Sequence, residues 1–415
     1  KSFPDTIIYY RDLFYTNVKM IYNTAFVAAT LATAVSGKIY FQEDFNDDAW
    51  SDRWTVPTEW KPESELGAWK HTAGEWYGDA SDLGVQTSQD AKHYGMSAKL
   101  SETFTNEGKD LVLQFQVKHE QNLDCGGAYI KLLGDMDQSK FGGDTDYQIM
   151  FGPDVCGSSN KKTHVIFNYP PKDDNLLIKE QVKTETDRVS HVYTLHVRPD
   201  SSFSVLIDGE SVRDGNLEDS FDFLAPKEIN DPAISKPEDW VDTKKIPDPN
   251  DVKPEGYDDV PAEIPDPEAE MPEDWDEEED GSWEPPMIDN PEFKGPWKAK
   301  MIDNPEYKGP WVHPTIPNPD YSEDKDLYLR CKDCTHVGFE LWQVASGTIF
   351  DNIIVTDSIE EAKAFADATY GKNIDAEKAM FAKIEEEKAA EAKRVAEENA
   401  AAEQNYDDEE DHDEL

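Results

Sequence analysis

The feature that most limits how this chain can fold is a proline-rich repeat in its middle. Eighteen of its 26 prolines lie between residues 228 and 322, where units of two kinds follow one another. The units are INDPAISKPEDW (229–240), IPDPNDVKPEGY (246–257) and IPDPEAEMPEDW (264–275), then GSWEPPMIDNPEFK (281–294), GPWKAKMIDNPEYK (295–308) and GPWVHPTIPNPDYS (309–322). So much proline with so few aliphatic residues leaves this stretch without a compact core.

The order of the repeats predicts an out-and-back hairpin arm. Three units of the first kind precede three of the second, so each unit can pair across the arm with a unit of the other kind. Tryptophan and tyrosine recur regularly, which indicates a small aromatic cluster in each repeat. A disordered linker is the alternative, but linkers seldom carry aromatic residues at a fixed phase.

Alternating runs on both sides of the repeats predict β strands. Between Asp110 and His119, four apolar residues alternate with polar ones and so share one face of a strand. Similar runs lie at 128–133, 147–151, 163–169, 191–198, 203–207 and 342–356. Many short strands separated by turn residues predict a two-sheet sandwich, into which the repeat arm is inserted.

The charge of the chain limits its partners. Its 415 residues include 89 acidic and 40 basic side chains, a net charge of −49. Binding to nucleic acid or to an anionic membrane surface needs an excess of Lys and Arg, so the sequence argues against both. Ca²⁺ and basic protein surfaces are the partners that it favours. The arm (228–322) carries 27 acidic and 8 basic side chains, which suits partner docking and solubility more than calcium storage.

The C-terminal segment predicts a helix. Ala, Glu and Lys dominate KAMFAKIEEEKAAEAKRVAEENAAAEQ (378–404), and these residues favour a single helix. Large apolar residues are few, so we expect it to be solvated. Residues 358–415 hold 19 acidic and 7 basic side chains, from which we expect weak binding of many Ca²⁺ ions. A solvated extension without that role is the alternative.

Both ends of the chain carry targeting patterns. An apolar run and small residues between Met20 and Ser36 predict a secretory signal peptide, with residues 1–19 as an upstream segment. His412–Leu415 reads HDEL, a signal by which a receptor retrieves proteins to the endoplasmic reticulum. No second apolar stretch is long enough to span a membrane, so we expect a soluble protein in the lumen. We expect it to be a monomer. The expected segments are 1–36 (upstream segment and signal peptide), 37–227 (globular domain), 228–322 (arm), 323–357 (return strands) and 358–415 (acidic tail).

Together with five motifs, these features resemble the calreticulin family of lectin chaperones. The motifs are VKHEQNLDCGGAYIKLL (117–133), DYQIMFGPDVCG (146–157), KKTHVIFNY (161–169), YTLHVRPD (193–200) and LWQVASGTIFDN (341–352). Calnexin shares the architecture but has four repeats of each kind and a membrane helix. The resemblance implies an all-β, concanavalin-like (legume-lectin-type) sandwich interrupted by a Pro-rich hairpin arm and followed by an acidic C-terminal helix.

The resemblance also implies a carbohydrate site for the terminal glucose of a monoglucosylated high-mannose glycan. The matching residues are Tyr129, Lys131, Tyr147, Met150, Asp154, Glu340 and Trp342. Tyr129 and Lys131 are two residues apart and so project from one face of a strand, as do Glu340 and Trp342. The family usually has Asp where Glu340 stands, which places this carboxylate one methylene farther out. From periodicity alone, an ordinary solvent-facing strand is the favoured interpretation, and only the motifs reverse it.

Two further features of the globular domain follow from the resemblance. Cys125 and Cys156 are expected to form a disulfide beside the sugar site. A structural Ca²⁺ is expected on the side chain of Asp351, with backbone carbonyls near Asp44, Ser81 and Leu83 as the other ligands.

The CKDC segment, Cys331 to Cys334, has no counterpart in the family pattern. A redox motif would need a strand-to-helix context that the surrounding residues do not predict. A zinc site would need a second ligand pair beyond the nearby His336. We therefore favour a local disulfide or a pair of free thiols.

In the family, a disulfide isomerase of the thioredoxin superfamily docks at the tip of the arm. Glu278, Asp280 and Trp283 match that tip. Acidic groups there would steer a basic partner, and the tryptophan would anchor it. The plainer interpretation is that Trp283 is one more repeat tryptophan, and both can hold.

Enzyme chemistry finds no support in the sequence. A glycosidase needs two carboxylates at a defined separation, and the predicted strands carry no such pair. Phosphate loops, nucleophile elbows and metalloprotease helices are also missing from the pattern. The predicted function is a calcium-binding lectin chaperone. The alternative is a lumenal calcium-storage protein with weak or no lectin activity, and a hydrolase comes third.

Overall fold

The computed structural model describes residues 37–272, residue 275 and residues 281–410, of which 400–410 are described by backbone only. The chain divides into two units, one formed by Ala225–Tyr321 and the other by the described residues on either side of it. The predicted signal peptide and upstream segment (1–36), the tip residues Glu278 and Asp280, and the HDEL signal (His412–Leu415) lie outside the described residues.

The described chain is built mainly of β strands. In chain order the strands are β1 (Ile39–Glu43), β2 (Trp54–Thr55), β3 (Trp69–Thr72), β4 (Gly84–Thr87), β5 (Lys92–Phe104), β6 (Leu111–His119), β7 (Cys125–Gly127), β8 (Ile130–Leu133), β9 (Ile149–Cys156), β10 (Asn160–Tyr169), β11 (Asp174–Leu177), β12 (Ser190–Val197), β13 (Ser202–Ile207), β14 (Glu210–Asn216), β15 (Glu228–Asn230), β16 (Lys245–Pro247), β17 (Glu263–Pro265), β18 (Met287–Asp289), β19 (Met301–Asp303), β20 (Thr315–Pro317), β21 (Cys334–Gln343) and β22 (Thr348–Thr356). The α-helices are α1 (Trp50–Arg53), α2 (Leu217–Ser220), α3 (Ile359–Ala368) and α4 (Tyr370–Glu410), and short 3₁₀ turns lie at Gln138–Lys140, Pro170–Lys172 and Tyr257–Asp259.

Two eight-stranded sheets form the larger unit. Sheet A runs β14-β13-β12-β6-β22-β4-β3, with β1 added beside β22. Sheet B runs β11-β10-β9-β7-β21-β5-β2, with β8 between β21 and β9. Strands β21 and β22 follow the arm in sequence, yet each lies inside a sheet made of strands that precede it. The predicted β-sandwich with an inserted arm is therefore confirmed.

The core lies between the two sheets. Phe115 of sheet A contacts Phe151 and Phe339 of sheet B, with ring centroids 6.1 and 6.4 Å apart. Phe339 also packs on Phe350 of β22 at 4.4 Å. Because side chains alternate along a strand, this inward aromatic packing turns every second residue of β21 and β9 outward. The residues of β21 and β9 that the sequence matches to the sugar site belong to that outward set.

The arm consists of three short antiparallel ladders, nested as the repeats predict. Strand β15 pairs with β20, β16 with β19 and β17 with β18, so the first unit pairs with the last. An isoleucine pair lies at the centre of each ladder: Ile229 with Ile316, Ile246 with Ile302 and Ile264 with Ile288. The hairpin predicted from the repeats is confirmed.

Each repeat unit of the first kind ends in an aromatic residue whose side chain contacts a backbone carbonyl in a unit of the second kind. Trp240 Nε1 donates to the carbonyl of Gly309 at 2.8 Å, and Trp275 Nε1 donates to that of Gly281 at 2.9 Å. The Tyr257 hydroxyl lies 3.5 Å from the carbonyl of Lys294. The glycines at 281, 295 and 309 all have positive φ, a conformation that other residues rarely adopt. These contacts explain why Trp or Tyr and Gly recur at fixed phase.

The C-terminal helix is solvated over residues 386–399, as predicted, but not at its start. Its start packs against the polar outer face of sheet A. Ser190 donates to the buried Glu377 from its backbone N (2.7 Å) and its hydroxyl (2.8 Å). The ring of Phe381 lies 4.8 Å from that of Trp76. Because hydrogen bonds supply much of this contact, few apolar residues mark it in the sequence.

Candidate functional site

The outer face of sheet B carries the residues matched to the sugar site. Lys131 of β8 lies opposite Met150 of β9 on one side and Gly338 of β21 on the other. Glu340 and Trp342 follow Gly338 at strand spacing and therefore point the same way. Asp154 lies on the same face of β9, two pairs beyond Gly152. Strand parity thus brings residues of three strands, β8, β9 and β21, to one surface.

A desolvated ion pair lies at the centre of this surface. Lys131 Nζ lies 2.8 Å from Glu340 Oε2, and the Lys131 side chain is only 3% exposed. The same ammonium lies 4.9 Å from the ring centroid of Tyr147. The longer Glu340 side chain therefore reaches the lysine in place of the family's usual Asp. A buried pair of this kind is rigid and presents both donors and acceptors in fixed positions.

Tyr129 connects the ion pair with Asp154. Burial, and then the nearby charges of Glu340 and Asp154, raise the pKa of Tyr129, so its hydroxyl stays protonated. Its ring stacks on that of His164 at 6.1 Å, and His164 Nε2 lies 3.4 Å from Asp154 Oδ2. Asn160 Nδ2 donates to the same carboxylate oxygen at 2.9 Å. All seven residues matched to the sugar site thus lie on this face or in contact with it.

Sequence reasoning missed two aromatic residues of this region. His93 of β5 lies opposite Trp342 in the ladder, and their ring centroids are 4.7 Å apart. Trp60, in the segment after β2, lies 5.3 Å from His93. His93 could have been found by extending the alternation through β5. Trp60 lies outside any strand and leaves no periodic signal.

A disulfide supports one side of the site. Cys125 of β7 and Cys156 of β9 face each other in the ladder, with Cα atoms 3.9 Å apart, and they are bonded. The next two pairs along the ladder end at Gly127 and Asp154. The expected disulfide is therefore present, and it fixes the strand that leads into Tyr129 beside the strand that carries Asp154.

Asp351 has the environment of a cation ligand. The residue is 4% exposed and accepts hydrogen bonds from the backbone and side-chain amides of Asn352. Burial, and then the charges of Asp82, Asp44 and Glu43, raise its pKa well above the ordinary value. A buried carboxylate beside other acids is costly unless a cation neutralises it. Hard oxygen donors of this kind fit Ca²⁺.

The other expected calcium ligands are backbone carbonyls. Within the described ranges, no three Asp, Glu, His or Cys side chains converge as a metal cluster. The loop that contains Ser81 and Leu83 is held by Asn46, whose Oδ1 accepts from the Leu83 amide at 2.7 Å. Asp44, whose carbonyl is the remaining candidate, lies two residues before Asn46. Asn46 thus brings the two candidate ligand segments together.

Cys331 and Cys334 are joined by a second disulfide, both residues being fully buried. Of the two possibilities left open by the sequence, the structure has the local bridge. The Cys331 amide donates to Asn106 Oδ1 at 2.9 Å, which ties the bridge to the turn after β5. Because the sulfurs are enclosed, they are not placed for exchange with a partner's thiol.

At the arm tip, the described residues give only part of the predicted partner site. Trp283 is half-buried, and Trp275 donates to the carbonyl of Gly281, as described above. Trp297 and Trp311, at the same phase of the next two units, are also half-buried, so Trp283 follows the regular repeat pattern and docking by it stays a prediction.

Comparison with known proteins gives a consistent result. The model of the Calreticulin family matches residues 41–281 and 280–355. Calreticulin of Chlamydomonas reinhardtii is 59% identical over 363 residues, which cover 86% of this chain and 85% of the relative. Calreticulin of Dictyostelium discoideum is 54% identical over 357 residues, which cover 86% of this chain and 83% of the relative. Among solved structures, the globular domain of T. cruzi calreticulin matches with a TM-score of 0.60 at 30% identity, covering 84% of this chain and 99% of that domain.

Proposed function

The chain belongs to the calreticulin family of calcium-binding lectin chaperones, and from that membership we propose that it binds monoglucosylated N-glycans on folding glycoproteins in the endoplasmic reticulum. Members of the family are chaperones rather than enzymes. Along the described part of the chain, no helix is long and apolar enough to cross a membrane. The HDEL signal and the signal peptide predicted from the sequence support the lumenal location.

The observation that carries the proposal is the Lys131–Glu340 pair on the outer face of sheet B. The terminal glucose lies against this pair, where the ammonium donates to sugar oxygens and the carboxylate accepts from hydroxyls. The protonated hydroxyl of Tyr129 adds a donor. Because the two charges are already desolvated and held together, the site needs little reordering when the sugar binds.

The rest of the surface orients the glycan. Asp154, held by Asn160 and His164, accepts hydrogen bonds from a neighbouring sugar. Trp342, which is 41% exposed, gives the apolar face of a sugar ring a surface to cover. Met150 and Tyr147 close the floor and side of the glucose position. The Cys125–Cys156 bridge keeps these groups in register.

Glycan binding and arm docking together give a chaperone cycle. The chain holds a client by its glycan, and an isomerase-type co-chaperone docks at the acidic arm tip through Glu278, Asp280 and Trp283. Removal of the terminal glucose releases the client. A retrieval receptor reads the C-terminal HDEL and keeps the protein in the lumen.

We assign the structural calcium to Asp351, with the carbonyls of Asp44, Ser81 and Leu83. The raised pKa of Asp351 supports this assignment, because a bound cation removes the cost of ionising a buried carboxyl. Calcium there would hold three loops in place and would not touch the sugar.

Isothermal titration calorimetry with a monoglucosylated oligomannose, and with the same glycan lacking glucose, tests the function. We expect binding to the first alone, and its loss in Tyr129→Ala. Lys99→Ala, which changes an exposed residue of β5 away from the Lys131–Glu340 pair, is the control and should bind normally. If the wild type binds both glycans equally or neither, the lectin proposal is wrong and a calcium-storage role takes its place.

A further inference from the structure

The repeat unit next to the turn between β17 and β18 departs from its two neighbours at two positions together. The three units of the second kind begin with GSWE (281–284), GPWK (295–298) and GPWV (309–312). Ser282 thus stands where the other units have proline, and Glu284 stands where they have lysine or valine. Among these units, only the one nearest the arm tip combines a hydroxyl with a carboxylate two residues later.

The backbone around Ser282 is held as in the neighbouring units, so the difference lies in the side chains. Trp275 Nε1 donates to the carbonyl of Gly281 at 2.9 Å, and Trp283 is half-buried. Ser282 and Glu284 are both exposed. No other residue in the described part of the chain hydrogen-bonds to the Ser282 hydroxyl. A hydroxyl without a structural task is therefore presented to solvent beside a fixed stretch of backbone.

Ser282 and Ser358 are the two serines of the chain that have glutamate two residues later. The Ser358 hydroxyl is engaged at the start of α3, where it donates to Glu360 at 2.8 Å and accepts from the Glu361 amide at 3.3 Å. Ser282 has no such task. Protein kinases that act on acidic substrates read a carboxylate at a fixed distance from the acceptor serine, through basic side chains in their cleft. Ser282 and Glu284 meet that requirement.

We propose that Ser282 is a phosphorylation site for a protein kinase that selects glutamate two residues after its serine, and that the phosphate strengthens docking of a basic partner at the arm tip. In the reaction, Ser282 Oγ forms a bond to the γ-phosphorus of ATP while the bond from that phosphorus to the bridging oxygen breaks. ADP leaves, and the hydroxyl proton passes to the base of the kinase. The docking half of this inference rests on the co-chaperone binding proposed above.

The phosphate changes the charge of the tip without disturbing its fold. A phosphoserine carries a charge of about −1.5 to −2 at pH 7 and three strong acceptor oxygens. Because Ser282 is exposed and its hydroxyl makes no hydrogen bond to the rest of the described chain, the modification buries no charge and breaks no contact there. The added charge lies next to Trp283, so it steers a basic surface toward the residue that is proposed to anchor it.

The first test identifies the modified residue. The full chain is incubated with ATP, Mg²⁺ and a purified kinase of the secretory pathway that selects Ser-x-Glu, and mass spectrometry measures the phosphate at residue 282. Phosphate should appear in the wild type, disappear in Ser282→Ala and fall at least tenfold in Glu284→Gln. Ser235→Ala, which removes an exposed arm serine without glutamate at that spacing, is the control and should leave it unchanged. An unmodified Ser282 in the wild type, or equal phosphate in Glu284→Gln, would overturn the site.

The second test measures docking. Surface plasmon resonance compares the phosphorylated chain with Ser282→Ala, both treated with the kinase, against a disulfide isomerase that has a basic docking surface. At low salt the phosphorylated chain should associate about threefold faster, and the difference should vanish in about 0.5 M salt. Equal association at low salt would refute the docking half. If the isomerase binds neither protein, the proposed tip docking is wrong, whereas the mass spectra still decide the phosphorylation site.

Discussion

Asn373 of α4 donates a hydrogen bond from Nδ2 to Oδ2 of Asp82 over 2.8 Å and so connects the C-terminal helix with the loop before β4. The two surfaces fit closely, because a Cβ atom on Gly78 would lie 2.2 Å from the backbone oxygen of Asn373. A cavity of about 20 Å³ between them is lined by Asp82, Asp351 and Glu377, among other residues. The helix therefore covers the loop from which calcium ligands are expected.

This contact predicts that calcium binding and docking of the helix strengthen each other. Asn373→Ala removes a hydrogen bond to a charged group, which should weaken docking by about 1.5–3 kcal/mol and lower calcium affinity several-fold. Amide hydrogen exchange of the first turns of α4 should accelerate in this variant, and in the wild type when calcium is chelated. Lys393→Ala, on the exposed part of the same helix, is the control. If chelation of calcium leaves the amide exchange of α4 unchanged in the wild type, the linkage is wrong.

A second prediction concerns the Lys131–Glu340 pair. Glu340→Gln leaves the ammonium of Lys131 without its carboxylate at a nearly buried position, which should cost about 3–5 kcal/mol of folding stability. Glycan binding should be lost. The double variant Lys131→Met with Glu340→Gln should recover much of the stability but none of the binding. Chemical denaturation and calorimetry measure the two effects, and unchanged stability in Glu340→Gln would refute this account.

The two disulfides provide a matched comparison. Cys125 and Cys156 are 31 residues apart, and loss of their bridge by alanine substitution should cost about 3–4 kcal/mol. Cys331 and Cys334 are three residues apart, so the loop-entropy loss from removing that bridge should be about half as large. Glycan affinity should fall only in the first variant, because only that bridge lies in the site. Equal effects on glycan affinity would contradict the role given to Cys125–Cys156.

A charged cluster at the start of β12 predicts a pH dependence. Burial disfavours the charge of His191, but hydrogen bonds to Asp187 and Asp208 outweigh it and raise the pKa of His191 from 6.5 to about 9. The stability from this charge is complete below pH 6.5 and disappears as the pH rises through 9. Between pH 6 and 9.5 the wild type should therefore lose about 3 kcal/mol more than His191→Gln. If the free energy of unfolding changes by the same amount in the two proteins between these pH values, the prediction is wrong.

Much of the sugar-site surface could be predicted, because strand parity is a local property. Residues two apart on a strand share a face whatever lies around them. The family motifs then indicated which strands lie next to one another. Trp60 could not be predicted, because its position depends on Gly95 and Gly142, which only the fold brings near it. Sequence proximity carries no trace of such a contact.

The C-terminal helix shows a different limit of sequence reasoning. Its composition correctly predicts a helix, but the scarcity of large apolar residues gives no sign that its start is docked. The structure buries Glu377 of α4 against Ser190, and in the preceding helix α3 the carbonyl of Ala362 accepts from the Gln114 side chain at 2.9 Å. A helix that docks through hydrogen-bonded polar groups has no apolar stripe in its sequence and is therefore predicted to be solvated. Its hydrogen-bond partners lie far away in the sequence, so the pattern of the helix alone does not reveal them.

The nesting of the three arm ladders limits how such an arm can change its length. Each unit on the outgoing strand has one partner on the returning strand, so a single inserted unit would shift every pairing outside it. Growth or loss must come in matched pairs. The innermost ladder, β17 with β18, also joins the residues nearest in sequence, so it closes with the smallest loss of chain entropy. The arm can thus fold from its turn outward, with the innermost ladder forming first and the outermost last.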